Sequence, residues 1–462
     1  MFRRTRHLAT TALLLGGLSG CSDFLSGPSV DEDPNSPIVD ATSADNLFVG
    51  LQAAQSTNYM STMAYFICGW VQQCQAVVGS GRFLEFNINS YSTEALDIDA
   101  NFTQIYGVGG LRDIRIMQER VTDPLYSGIL KVWEALIISE AADKWGDIPY
   151  SEAGQDDIET PALDDQLAIY AQLVTLLDQA IVQFADPAGV GTAVDLSLGS
   201  DPAAWTALAH TLKARILLHT ARSSCPGGVL AGCAIYDQIA AEAQLGIQTD
   251  AGNLVTPNSG ATAPEQNGWF QFFNSSGFGG DLQASPSLWR VMIDRGEVAR
   301  IAEYFGEPTI DGTDTSFAIT GTRNAPTFKQ PWVTADENSL ILAEALLLKP
   351  APDAAGALAQ LNGIRTKYGV PLLAGPATIA DVLEEKFVSL FQNWEFWNDY
   401  KRHCLPTLTP TSGGAPIANT IPRRIFYGQS EQDANPNIPT VSAQIGAGFR
   451  NDNDPPPPVG CG

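Results

Sequence analysis

Apolar residues recur through this chain with the period of an α-helix. Ile169, Leu173, Leu176, Leu177, Ala180, Ile181 and Phe184 fall at i, i+4, i+7, i+8, i+11, i+12 and i+15, which puts a single stripe on one face. That spacing predicts an amphipathic helix docked on a core. Trp205, Leu208, Ala209, Leu212 and Ile216 repeat the pattern behind Asp201-Pro202, an N-cap followed by a first-turn proline. Similar spacing predicts helices over 44–55, 60–72, 111–120, 130–144, 236–244, 339–348, 354–368 and 379–400. The predicted fold is all-α, a tetratricopeptide-like stack of helix pairs in which each pair buries its apolar face only against the next. No clean 34-residue sequence repeat accompanies it. Stretches rich in Gly, Ser, Asn and Pro cover 248–286, 307–331 and 405–462, and long irregular segments in a compact helical protein tend to be functional loops.

The amino terminus carries a different pattern. Arg3, Arg4 and Arg6 precede an apolar run over 8–18 that is too short to span a bilayer and reads as a cleaved signal. Leu18-Ser19-Gly20-Cys21 closes it and resembles a bacterial lipobox, which implies a diacylglycerol on the Cys21 thiol. Residues 22–37 are polar, acidic and proline-bearing, as expected of a tether between lipid and folded body. Ser22, where an aspartate would retain the protein at the inner membrane, favours the outer membrane. The expected organisation is a signal over 1–20, an anchor and tether over 21–40, and one helical domain over 41–462.

Net charge narrows the partners. At −25 over 462 residues, and more negative once the leader arginines are removed, the chain repels nucleic acid and anionic headgroups. Six cysteines remain beside Cys21, an even set that suggests disulfides in an exported protein. Cys225 and Cys233 flank the turn Pro226-Gly227-Gly228. Cys404 with Cys461 would clip the proline-rich tail to the body. Cys68 and Cys74 can pair only if the helix ends between them, because six residues of continuous helix separate Cα atoms by about 9 Å.

Candidate chemistry is sparse. With no CxxC and only His210, His219 and His403 after the leader, neither a zinc site nor another metal or cofactor is expected. Asp97-Ile98-Asp99-Ala100-Asn101 opens like a calcium loop, but Phe102 and Val108 occupy the glycine and glutamate positions, so it reads as a helix cap. Gly107-Val108-Gly109-Gly110 reads as a turn, and no GxSxG occurs.

Asp143-Lys144-Trp145-Gly146-Asp147-Ile148-Pro149-Tyr150-Ser151-Glu152-Ala153 resembles the "yGDiPYsEA" segment that ends a long helix in the SusD/RagB family of outer-membrane lipoproteins. Further segments follow in the family's order. Asp33-Pro34-Asn35 resembles its "NPN" opening, and 161–184 its "P.yD.q..iY..ll..Ld.Ai" helix. Asp195 to Trp205 with Lys213 and Arg215 resembles "Dl.ygGd...W...AnsLk.R", Glu344-Ala345 fits the "AEA" helix, and Ile421 to Tyr427 resembles "iP.Rl.Y". Lys401-Arg402-His403-Cys404 departs from the usual arginine pair and glycine, and 252–285 matches nothing in the family pattern. The resemblance implies about four tetratricopeptide-like helix pairs, an irregular ligand face and no catalysis. It also implies a SusC-like TonB-dependent transporter as partner, with a glycan or a peptide as ligand.

Sugar faces stack on aromatic rings while amides hold hydroxyls. Loop aromatics among amides therefore give the candidate ligand residues Trp70, Tyr91, Asn267, Trp269, Phe273, Asn274 and Trp289. The competing reading makes Phe270, Phe272 and Phe273 plugs of the core. Two other functions stay open from the residues: a surface glycoside hydrolase using Asp143, Asp147 or Glu152, and a helical-repeat assembly module without a small ligand.

Overall fold

The computed structural model describes residues 42–77, 85–155, 157–274, 282–305, 309–311, 314–316, 318–319, 321–410 and 415–454. Cys21, the signal, the tether and Cys461 lie outside them.

Among the described residues, fifteen of the eighteen α-helices form the frame. They are α1 (Ala44–Tyr59), α2 (Thr62–Trp70), α3 (Asp99–Tyr106), α4 (Leu111–Arg120), α5 (Pro124–Trp145), α6 (Gln166–Phe184), α7 (Pro202–His219), α8 (Ile235–Leu245), α9 (Gly268–Asn274), α10 (Pro286–Asp294), α11 (Val298–Tyr304), α12 (Ala335–Leu348), α13 (Ala354–Lys367), α14 (Ile379–Ser389) and α15 (Glu395–His403). Strands are short and occur in antiparallel pairs. β1 (Cys74–Ala76) pairs with β3 (Leu282–Ala284), β2 (Leu254–Val255) with β6 (Pro331–Val333), and β4 (Thr309–Asp311) with β5 (Asp314–Ser316). The all-α expectation holds.

The stack runs α5 on α6, α6 on α7, α7 on α8, α8 on α12, and α12 on α13 and α14. Its starts are written in the sequence as Asp123, Asp165 and Asp201, whose carboxylates accept the backbone N–H of Tyr126, Ala168 and Ala203 at 2.8–2.9 Å. Apart from Pro124, Ser127 and Lys131, every residue of α5 is buried. Gly128 allows this closeness, since a Cβ there would lie 2.5 Å from the Phe184 ring of α6. Gly146, at φ 76°, ends α5. One core gathers α1, α2, α5, α6 and the aromatic segments, where Trp332 stacks on Tyr59 at 4.5 Å and meets Trp133 edge-on. A second core lies between the far half of α7, α8 and α12 to α14.

Two expectations need correction. The helix predicted over 130–144 starts at Pro124, six residues earlier, because the Asp123-Pro124 cap outranks the interruption at Ser127-Gly128. The helix predicted over 379–400 is two, α14 and α15, separated at Gln392, whose φ is 63°. α6, as predicted, docks one face on the core, although it is long and apolar enough to cross a membrane by length and composition. Its stripe of Ile169, Leu173, Leu177 and Phe184 is instead buried in the core.

Two disulfides join described cysteines. Cys225–Cys233 closes the predicted turn with Cα atoms 5.7 Å apart. Cys68–Cys74 forms because α2 stops at Trp70, which brings the Cα atoms to 5.1 Å. The proposed Cys404–Cys461 pairing involves a residue outside the described ones.

Candidate ligand-binding face

α2 organises the face on which the candidate residues converge. Its sequence, Thr62-Met63-Ala64-Tyr65-Phe66-Ile67-Cys68-Gly69-Trp70, is apolar nearly all round and is buried beyond Thr62. From its first turns, Tyr65 packs edge-on against Trp269 at 4.7 Å and against Phe272 at 4.3 Å. The Tyr65 hydroxyl donates to the carbonyls of Met60 and Gly268, pinning the start of α9. Asn267 fixes the same end: its Oδ1 accepts from Phe270 N at 3.1 Å and its Nδ2 donates to Phe328 O at 3.0 Å.

The far end of α2 holds a second group. The Cys68–Cys74 bridge encloses Gln72, which adopts φ 54°. Gln72 Nε2 donates to Thr409 O at 2.6 Å and to the Tyr91 hydroxyl at 3.4 Å, while its Oε1 accepts from Ser287 Oγ at 3.1 Å. Tyr91 is itself at φ 56°. Left-handed backbone at two non-glycine residues costs on the order of 1–3 kcal/mol each and persists where surrounding contacts enforce it, often at binding sites. β1 and β3 complete the arrangement, because Ser285, the N-cap of α10, follows β3 directly and donates its N–H to Gln73 O. Trp289 stands on the first turn of α10.

The candidate residues therefore divide. Tyr91 and the Trp289 helix meet through Gln72 and Ser287; Asn267, Trp269, Phe273 and Asn274 form α9 and its cap. Trp70, Tyr91, Asn267 and Trp269 are fully buried, a correction to their reading as contact residues. Trp70 Nε1 donates to Asn87 O, and the Trp269 ring is covered by Tyr65 and Phe273, so these four shape the face from beneath. Phe273 and Trp289 are half-buried and Asn274 is exposed. Phe270 and Phe272 are half-buried too, with Phe272 and Phe273 packed on the core. Sequence reasoning missed Tyr65, Gln72 and Ser287. Only the position of Gln72 between two cysteines could have signalled it.

The carboxylates of the hydrolase reading do other work. Asp147 Oδ1 accepts from Gln166 N at 2.9 Å, and Glu152 Oε2 from Ala162 N at 2.7 Å. Burial holds the Asp147 carboxyl above its usual range, with the Gln166 N–H pulling it back. Asp143 is wholly buried, accepting from Tyr170 and Asn398 beside His219. Asp143, His219 and Glu395 lie close enough together to ligate a metal. Burial disfavours the imidazolium, but Asp143 and Glu395 outweigh it and push His219 up to about 9. The group extends through Arg215 to Glu337 at 2.6 Å, and a parallel set joins Lys386 to Glu344 and Asp399 and Arg402 to Glu344.

A family model named SusD-like, described as starch-binding and associating with outer membrane, matches residues 42–325. Among solved structures, a chitin-binding protein aligns with a TM-score of 0.69 at 19% identity, over 89% of this chain and 98% of that one. A chitin-binding SusD homologue from Flavobacterium johnsoniae aligns at 0.68 and 15% identity, over 88% and 99%. A SusD/RagB family protein from Bacteroides thetaiotaomicron aligns at 0.63 and 19% identity, over 90% and 97%. At such identities the likeness is one of fold, and it covers the tetratricopeptide-like scaffold. No curated protein matches the sequence.

Proposed function

Because this chain belongs to the SusD-like outer-membrane family, we propose that it is a surface-exposed lipoprotein that binds a glycan and hands it to a SusC-like TonB-dependent transporter. The family match over 42–325 carries the reading. The face built on α2 supports it, since Phe273, next to Asn274 on α9, and Trp289 on α10 are partly exposed rings over the buried Trp269 and Trp70. Rings with polar neighbours suit a ligand that presents C–H faces and hydroxyls in alternation. An oligopeptide suits the same surface less specifically. Lipid on Cys21 anchors the protein, and the acidic tether keeps it beside the barrel at high effective concentration. The protein binds and does no chemistry: the carboxylates nearest a hydrolytic pair are engaged as caps and buried partners.

Co-purification from outer membranes, together with binding to starch-derived, chitin-derived and peptide ligands, tests the reading. A barrel partner and a saccharide ligand are expected. Recovery at the inner membrane without a partner would overturn it, and saccharide turnover would reinstate the hydrolase.

A further inference from the structure

A cleft of about 400 Å³ lies between α12, α13 and the segment that follows α8. It shares no residue with the aromatic face, and its size falls within the range of small-molecule sites. Its mouth is fixed by charge. Lys367 Nζ sits 2.7 Å from Asp250 Oδ1 and 3.0 Å from both Asp336 oxygens, and the Tyr368 hydroxyl donates to Asp336 at 2.8 Å. One cation thus ties the loop after α8 to both walls.

Polar side chains along the cleft are open to solvent. The side chains of Thr249, Ser339 and Gln360 line the cleft and make no hydrogen bond among the described residues. Gln248 spends its Nε2 on backbone carbonyls such as Gly246 O, and its Oε1 accepts nothing there. Between these groups, Ile364 being buried in the core, the exposed Ala359 gives a small apolar spot. Gly363 widens it, because a Cβ at that position would meet nothing within 4 Å.

We propose that this cleft is a second saccharide site, taking one or two neutral sugar units. It rests on the glycan-binding reading above. Two amides and two hydroxyls supply both donors and acceptors for neighbouring sugar hydroxyls, while the exposed Ala359 and Gly363 accept a C–H face. Anions are disfavoured, since two aspartates face one lysine here and the whole chain carries −25. A second contact on the same glycan raises its retention through effective concentration.

The test is a titration of the full exported chain with maltotriose and with chitotriose, followed by NMR shifts and calorimetry. Gly363→Trp fills the cleft from an open helix position and Gln360→Ala removes its amide. Each is expected to weaken binding to one site at least tenfold and to leave the site sensitive to Trp289→Ala unchanged. Unfolding of Gly363→Trp, seen by circular dichroism, leaves Gln360→Ala to decide. Binding to a single site that neither variant alters overturns this inference alone. Binding of no saccharide by the unaltered protein overturns the glycan reading with it.

Discussion

His219 on α7 and Asp143 on α5 meet with Nδ1 2.8 Å from a carboxylate oxygen, both out of water. Glu395 of α15 closes the other side of the ring, so one imidazolium ties three helices. Removing a member of a buried charge group leaves its partners uncompensated, which typically costs about 3–5 kcal/mol. His219→Gln should lose stability on that scale at pH 6.

The pH dependence follows from the same contact. His219 binds its proton more tightly folded than unfolded, with values of about 9 against 6.5, so its contribution is full below 6.5 and disappears as pH rises through about 9. Lys144 and Lys401, held down to about 8 chiefly by burial, act in the opposite sense between 8 and 10.5. The readout is therefore the difference in Tm between the unaltered protein and His219→Gln. It should narrow steadily from pH 6.5 to 9. A constant difference would show that the ring is not held as a cation.

Aromatic substitutions separate contact from support. Trp289→Ala and Phe273→Ala, at half-buried rings that lean on the core, should each lower saccharide affinity about tenfold and cost less stability than loss of a fully buried ring. Trp269→Ala removes a fully buried ring beside Tyr65 and should cost about 3–5 kcal/mol of stability. Equal stability losses in all three would place Phe273 and Trp289 in the core.

The two described disulfides should behave differently. Each closes a short loop worth about 2–3 kcal/mol by chain entropy. Only the Cys68→Ser/Cys74→Ser pair also frees Gln72 and the Tyr91 contact, so only it should weaken ligand binding. Calorimetric affinities of the two double variants, measured beside their melting curves, decide the point.

Cys21→Ala should release a folded, ligand-competent protein from the membrane and abolish uptake. Fractionation and a growth assay on the ligand measure the two effects, and retained uptake would mean the anchor is dispensable.

Much of the scaffold was legible because its signals are local. The α6 stripe and the Asp201-Pro202 cap each lie within a few turns of chain. The split at Gln392 was hidden because neither glycine nor proline marks it. The face was harder still. Trp269 reads as a loop aromatic among amides until Tyr65, some 200 residues away, is seen covering it. Glu344 and Arg402, or Asp143 and His219, are likewise partners that only the folded chain brings together.

The burial of α5 has a consequence for how the chain may be divided. Its last turns are held from beyond the family match: Trp332 donates to Glu140, Lys401 and Asn451 to the Asp143 carbonyl, Ile425 to the Lys144 carbonyl, and Trp145 to the Phe426 carbonyl. A fragment cut at Ala325 would strip every one of these from a helix that has no wet side to turn outward. We expect it to aggregate when expressed, and any minimal soluble version of this protein to need residues through Asp454.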